Sequence, residues 1–295
     1  MEPLKTYIDQ KEIDDLLTEE IGHLYGGKLS FPSAPESRPY VVINFVATME
    51  GITSFNLPNH IGGGAISGFN VQDVFILGIL RSLADAVAVG ANAVRLNKKH
   101  LWTPEFISPE HSEMFQKLRQ TIGKDRINPL NAFVTGSGKI LPEDPKDPLP
   151  EVFGSNKIET MIITTKGGQE VVNREFAQRN IKPSVIVAGD DKEVDLSKAL
   201  SRLRSEYNVS LLLVEGGATF SGSIVKNKLY DEVFLTVAPQ VVGTLKTNPR
   251  PLFVEGFENT PETSIWHQLI GLKVYGDYIY KRYRRKFLHT NTEKF

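Results

Sequence analysis

The stretch Leu211-Leu212-Leu213-Val214-Glu215-Gly216-Gly217-Ala218-Thr219-Phe220-Ser221-Gly222 joins four apolar residues to a carboxylate and two glycines. Four apolar residues in a row fit a strand buried on both faces. Phe220, Ile224 and Val225 then recur with helical period. Glycines between a parallel strand and a helix let backbone approach a ligand, and they leave N–H groups free at the helix start, where anions bind. Ligands of open α/β sheets sit at the carboxyl ends of strands. The segment therefore points either to a phosphate-bearing ligand with Glu215 beside it, or to a strand–helix turn whose glycines serve packing only.

Other residues offer chemistry at similar places. Thr48-Met49-Glu50-Gly51 follows the apolar run Tyr40–Val46. A carboxylate just past a central strand sits where catalytic acids and bases cluster, although a solvated turn acid beside a positive-φ Gly51 reads equally from spacing. Asp85–Val89 ends at Gly90 and leads to Arg95, Lys98, Lys99 and His100. That basic cluster is either a phosphate site built on charge-assisted hydrogen bonds or a solvated loop. Arg81, on the preceding helix, is expected to pair with Asp85 or with an acidic substrate group. Gly62–Gly68 fits neither G-x-x-x-x-G-K-[ST] nor G-x-G-x-x-G, which leaves a loop near the site or a plain connection. The six histidines show no H-x-x-x-H spacing, and there is no G-x-S-x-G elbow. A metal site is not expected. The run Lys281–Lys286 carries an aromatic among its cations; it suits nucleic-acid contact less well than a charged, protected edge strand.

The elements that must position these groups follow from periodicity. Ile8–Leu24 reads as an amphipathic helix with Ile13, Leu16, Leu17 and Ile21 on one face, and a Gly/Pro/Ser linker follows it. Strands are expected at Tyr40–Val46, Ala86–Val89, Asn131–Thr135, Met161–Thr165, Ser184–Ala188, Leu211–Val214 and Glu232–Val237. Helices fall at Val71–Leu83, near His111–Gln120, ending at Phe176–Asn180, and at Leu196–Tyr207. Leu141–Pro150 carries four prolines and is a surface loop. Leu272–Tyr275 and Asp277–Arg284 flank Gly276 as a hairpin, which on a parallel sheet is an edge feature. Alternation of strands and helices implies a mostly parallel α/β sheet.

Bulk properties narrow the classes. The chain has 295 residues, 40% hydrophobic and 23% charged, with a formal net charge of −1. It supports a sizeable core, and no global field draws nucleic acid or an anionic membrane. No apolar run approaches membrane-spanning length, and the start lacks the layout of a signal peptide. There is no cysteine. Disulfides, thiolate zinc sites and the P-C-x-x-C zinc of nucleobase deaminases are excluded.

Taken together, Arg38-Pro39-Tyr40, Thr48-Met49-Glu50-Gly51, Leu80-Arg81 with Ala84-Asp85, Val89-Gly90-Ala91 with Val94-Arg95, Leu213-Val214-Glu215-Gly216-Gly217 with Thr219, Leu229-Tyr230-Asp231-Glu232, and Ala238-Pro239 with Gly243 come in a telling order and spacing. Over residues 38–285 the chain resembles the pyrimidine reductase family of riboflavin biosynthesis, and within it the stand-alone pyrimidine reductase-like branch. The resemblance implies a dihydrofolate-reductase-like α/β fold in three layers, its mostly parallel sheet ending in a C-terminal antiparallel hairpin. Residues 1–37 would be an N-terminal helical appendage and linker, 38–289 the reductase domain and 290–295 a tail.

It further implies a cytoplasmic homodimer that uses NADPH to reduce a ribosylamino-pyrimidinone 5′-phosphate to its ribitylamino form. A dihydrofolate or dihydropterin reductase and a non-catalytic NADP-binding module are the alternatives. By this resemblance Glu50 is catalytic, and Asn44, Thr48, Arg81 and Glu215 face the substrate. Gly90, Val94, Arg95, Thr135, Thr164, Gly216, Gly217, Ala218, Thr219, Phe220 and Ser221 face the cofactor. The chain departs from the family pattern at Asn44 (Lys in some members), Glu50 (usually Asp), Ala93 (often Thr) and Asn97-Lys98-Lys99 (often Asp-Asp-Pro).

Overall fold

The structure, a computed structural model, describes residues 1–286 apart from 11–13, 58, 59, 61, 145, 191 and 192. Its strands are β1 (Lys5–Asp9), β2 (Tyr40–Ala47), β3 (Ala86–Gly90), β4 (Leu130–Thr135), β5 (Thr160–Thr164), β6 (Val185–Val187), β7 (Leu211–Val214), β8 (Glu232–Val237), β9 (His267–Tyr275) and β10 (Tyr278–Arg285). The helices are α1 (Glu19–Tyr25), α2 (Gly63–Ser67), α3 (Val71–Leu83), α4 (Ala91–Leu96), α5 (Pro104–Ile107), α6 (Ser112–Thr121), α7 (Glu151–Gly154), α8 (Lys166–Ala177), α9 (Leu196–Tyr207) and α10 (Ala218–Lys226). All strands join one sheet in the order β1-β9-β10-β8-β2-β7-β3-β4-β5-β6. From β8 through β6 neighbours run parallel, and β10, β9 and β1 add on antiparallel. The parallel strands are largely apolar because helices cover both faces. Residues of α1, α3, α6 and α8 pack on one face, and residues of α9 and α10 on the other. The expected three-layer α/β architecture with its C-terminal antiparallel hairpin is the one observed.

Two expectations change. The helix expected over Ile8–Leu24 shortens to α1, capped by Thr18, and Ile8 and Asp9 belong instead to the strand Lys5–Asp9, which pairs with β9. Apolar residues near positions 8–24 serve a strand and a short helix in turn; Ile8 is exposed on the strand while Ile21 is buried. Ile13 and the tail 290–295 lie outside the described residues. The C-terminal hairpin is also not the edge, because β1 lies outside β9 and β10 lies between β9 and β8. Cations of β10 are engaged internally. Arg282 and Arg284 both reach the fully buried Glu232, which also accepts from the Tyr40 hydroxyl. Arg38 grips Asp231 at two points, and Asp231 accepts from the Val41 N–H. The motif residues at 38–40 and 230–232 thus lock the start of β2 to the start of β8.

Candidate active site

β7 lies between β2 and β3, the point where chain connections leave in opposite directions. Open α/β sheets bind ligands at such a switch point, beyond the strand ends. There the chain runs from Val214 into Glu215, Gly216 and Gly217. Both glycines have positive φ, 116° and 78°, a conformation costly for side-chain-bearing residues. A Cβ at Gly217 would face Gly90 Cα at 3.8 Å, so the turns after β7 and β3 lie against each other.

Arg81 and Glu215 form a buried ion pair with two hydrogen bonds, Nε–Oε1 at 2.7 Å and Nη2–Oε2 at 2.6 Å. Arg81 Nη1 donates to the carbonyls of Leu101 and Thr103, and Nη2 lies 3.1 Å from His100 Nε2. Burial and the Arg81 charge push the His100 imidazole down to about 3. His100 is therefore neutral and accepts from Arg81. Every guanidinium N–H has a partner, so Arg81 keeps no donor in reserve for a substrate. Its expected pairing with Asp85 is replaced: Asp85 binds Lys124 and accepts from the N–H groups of Ser210 and Leu211.

The helices differ in who caps them. Asn70 caps α3, Thr165 caps α8 and Asp195 caps α9, each with its own side chain. α10 starts at Gly217 with no side-chain cap, which leaves its first N–H groups pointing outward from the positive end of the helix. In its first turns Ser221 is fully buried and its hydroxyl has no hydrogen-bond partner. Thr219 is half-buried or more open, as are Ala218 and Phe220. An unfilled cap and an orphaned hydroxyl thus lie beside two glycines, and helix starts of this kind suit anionic groups.

At the end of β2, Thr48 closes a tight turn: its hydroxyl accepts from the Ile52 N–H, and its N–H donates to the Ile52 carbonyl. Glu50 Oε1 accepts from the N–H groups of Val242 and Gly243 at 2.7 and 2.8 Å. Those bonds, Val242 first, hold its carboxyl below the usual range although the side chain is open to solvent. Glu50 is thus an ionised acceptor that also anchors the loop after β8. The geometry does not suit it to donate a proton.

Asn44 lies on the α3 side of β2 and lines a small pocket of about 20 Å³ with Thr236, Tyr280, Ile76 and Lys273. Asp73, in the first turn of α3, reaches the hydroxyls of Thr236 and Ser67; burial outweighs these bonds and pushes it up to about 6. Asp73 and Thr236 carried no motif, and only the packing of α3 on β8 brings them together.

The remaining cofactor-facing expectations divide. Gly90 lies against Gly217, but Val94 and Thr164 are wholly buried. Val94 packs in the core, and the Thr164 hydroxyl donates to the Thr135 carbonyl at 2.7 Å. Thr135 donates to the Lys139 carbonyl. Arg95 binds the Lys139 carbonyl and the Asn92 side chain, tying the turn after β3 to the loop after β4. These four shape the turns from behind. Inward-facing strand and helix positions look the same in sequence whether ligand or core lies beyond. Also unforeseen is the segment near Leu252–Glu255: Ile52 bridges to Leu252, Phe253 packs edge-on against Phe45, and Glu255 N–H donates to the Ala218 carbonyl. Among the described residues, no helix is long and apolar enough to cross a membrane, and no group of acidic or histidine side chains could hold a metal ion.

The sheet has an uncapped glycine turn at its switch point, the place where open α/β proteins bind ligands. The RibD C-terminal domain family matches residues 39–272, and the chain belongs to that family. It is 26% identical over 208 residues to the 2,5-diamino-6-ribosylamino-4(3H)-pyrimidinone 5′-phosphate reductase of Methanothermobacter thermautotrophicus, covering 70% of this chain and 80% of that one. It is 27% identical over 206 residues to the reductase of the same name from Archaeoglobus fulgidus, covering 70% and 83%. A pyrimidine reductase-like protein from Corynebacterium diphtheriae superposes with a TM-score of 0.65 at 19% identity, covering 91% of this chain and 99% of that one. The fold is the dihydrofolate-reductase-like one of these reductases.

Proposed function

We propose that this chain is an NADPH-dependent oxidoreductase that reduces a ribosylamino-pyrimidinone 5′-phosphate to its ribitylamino form. The observation that carries the reading is the uncapped glycine start of α10 at the switch point between β2 and β3. The names of the two archaeal relatives support the substrate class. The residues present fit a dinucleotide: Gly216, Gly217 and the first N–H groups of α10 would hold its pyrophosphate, and the orphaned Ser221 hydroxyl has a partner to gain. The exposed Lys166 favours a 2′-phosphate, and no acidic side chain in those turns competes for a ribose diol. When bound, the nicotinamide supplies the hydride; the protein supplies position and electrostatics.

The chain's own residues then have separable tasks. Arg81 fixes the Glu215 carboxylate at the mouth of the site. Glu50, ionised, accepts from a substrate donor and so orients it. Asn44 faces the heterocycle. The reading keeps the homodimer and the cytoplasmic setting expected from the resemblance. It is tested by following NADPH oxidation with the ribosylamino-pyrimidinone 5′-phosphate and with dihydrofolate side by side. Turnover of the first alone is expected. Turnover of dihydrofolate alone would move the chain to the pterin reductases, and NADPH binding without turnover of either would make it a non-catalytic module.

A further inference from the structure

Lys98, Lys99 and His100 read from sequence as either a phosphate site or a solvated loop, and the reductase reading leaves them without a task. Asn97–His100 folds back as a turn: the His100 N–H donates to the Asn97 carbonyl at 2.9 Å, and the Glu151 N–H holds the Lys98 carbonyl from behind at 2.8 Å. Leu96, Asn97, Lys98, Lys99, His100 and Phe106 line a cavity of about 440 Å³ that opens to solvent, a volume within the range of ligand pockets. Leu96 and Phe106 are 45% and 39% exposed, so its wall offers carbon surface as well as charge.

The cations around this cavity differ in what they have left to give. Lys98 pairs with Asp147 at 2.9 Å. Arg81, behind His100, is committed to Glu215 and to the carbonyls of Leu101 and Thr103. Lys99 is exposed and has no ion pair among the described residues. The His100 ring is held in place, its centroid 4.7 Å from that of Phe106 and 4.8 Å from that of Trp102. Its Nε2 accepts from Arg81, so the neutral ring carries its proton on Nδ1. Nδ1 has no partner among the described residues and is not sealed in the core. The chain also departs here from the family pattern, which often has Asp-Asp-Pro where Asn97-Lys98-Lys99 stands. Carboxylates on this wall repel an anion and ammonium groups attract one, so the preference belongs to this chain's own residues.

We propose that Lys99 and the Nδ1–H of His100 hold the phosphoryl end of the substrate in this cavity, with Leu96 and Phe106 against the carbons of its sugar, and that Arg81 takes no part in the contact. The inference rests on the proposed reductase reading for the identity of the ligand. A phosphate monoester brings roughly two negative charges and three acceptor oxygens. Lys99 supplies an uncompensated charge, whereas the charge of Arg81 is balanced by Glu215. His100 supplies direction, because its ring is fixed by Arg81 on one edge and by two aromatic neighbours. The cavity adjoins the site through His100, Arg81 and Glu215 in turn, and Glu215 stands at the end of β7.

Titration calorimetry on the full chain compares 2,5-diamino-6-ribosylamino-4(3H)-pyrimidinone 5′-phosphate with the same compound lacking its phosphate. The wild-type chain should prefer the phosphorylated compound by roughly 100-fold, and added salt should narrow that preference. Lys99→Met should cut it by roughly tenfold. Two variants of His100 separate its two edges. His100→Asn keeps an N–H where Nδ1 stands and drops the acceptor of Arg81; His100→Gln keeps the acceptor and drops the N–H. His100→Gln should therefore melt higher than His100→Asn and yet show the smaller phosphate preference. A residue with a structural role alone would rank the two variants the same way in both measurements. That ranking, an unchanged preference in Lys99→Met or in His100→Gln, no preference in the wild-type chain, or no binding of either compound would each overturn the inference. NADPH oxidation is followed apart from binding. A preference that depends on Lys99 and His100 without turnover keeps the inference and removes the reductase reading; turnover with a preference these residues do not affect does the opposite.

Discussion

Arg81 and Glu215, 134 residues apart in the chain, meet through two hydrogen bonds of 2.7 and 2.6 Å, their side chains 1% and 7% exposed. The pair ties α3 to the end of β7 and aims a carboxylate at the switch point. Arg81→Met leaves that carboxylate buried and unpaired, together with the carbonyls of Leu101 and Thr103. The variant should lose about 3–5 kcal/mol of stability, the usual cost of removing one partner of a buried pair. Urea unfolding measures this, and a loss below about 1 kcal/mol would reduce the pair to a surface-like contact.

Gly217→Val places a branched side chain at φ 78° in the proposed pyrophosphate cradle. Backbone strain should cost about 1–3 kcal/mol, and NADPH binding, followed by nicotinamide fluorescence, should be lost in the folded variant. Unchanged affinity there would remove the cradle assignment.

Glu50→Gln keeps an acceptor for Val242 and Gly243 but removes the charge. If Glu50 orients the substrate, kcat/KM should fall by roughly 10²-fold while NADPH affinity holds. Full activity would leave Glu50 as a loop anchor only.

Asp73 and His100 make opposite contributions to the pH dependence of stability. The folded Asp73 carboxyl is raised to about 6, so its contribution is complete below its unfolded value and lost as pH rises through about 6. Asp73→Asn should therefore melt above the wild-type chain at pH 8 and lose that advantage at pH 4. His100 is lowered to about 3, so its contribution is present above its unfolded value near 6.5 and lost as pH falls toward 3. His100→Asn should flatten the acid side of the stability profile. Melting curves between pH 4 and pH 8 check both signs.

Trp266 is 61% exposed, with Ile265 and Leu269 half-buried and Leu272 further along β9. If this apolar surface closes the expected two-fold dimer, Trp266→Glu should halve the mass seen by light scattering at micromolar concentration. A monomeric wild-type chain would end the dimer proposal.

The sequence by itself determined the local events. Apolar runs specified the parallel strands from Tyr40 to Val237, because a strand buried on both faces tolerates little else. The Glu215-Gly216-Gly217 turn marked the proposed cradle, since the backbone angles at Gly216 and Gly217 demand glycine. Tertiary structure decided what distance along the chain conceals. It made Lys5–Asp9 a strand, because β9 offered an unpaired edge, where a helical pattern had been legible from Ile8 onward. It paired Arg81 with Glu215, buried Val94 and Thr164, and directed Arg282 and Arg284 of β10 onto Glu232. It also set Asp73 beside Thr236, across 163 residues, a contact that no local pattern announces. Periodicity shows that a side chain faces inward; only packing decides whether core, a partner charge or a ligand cavity lies in front of it.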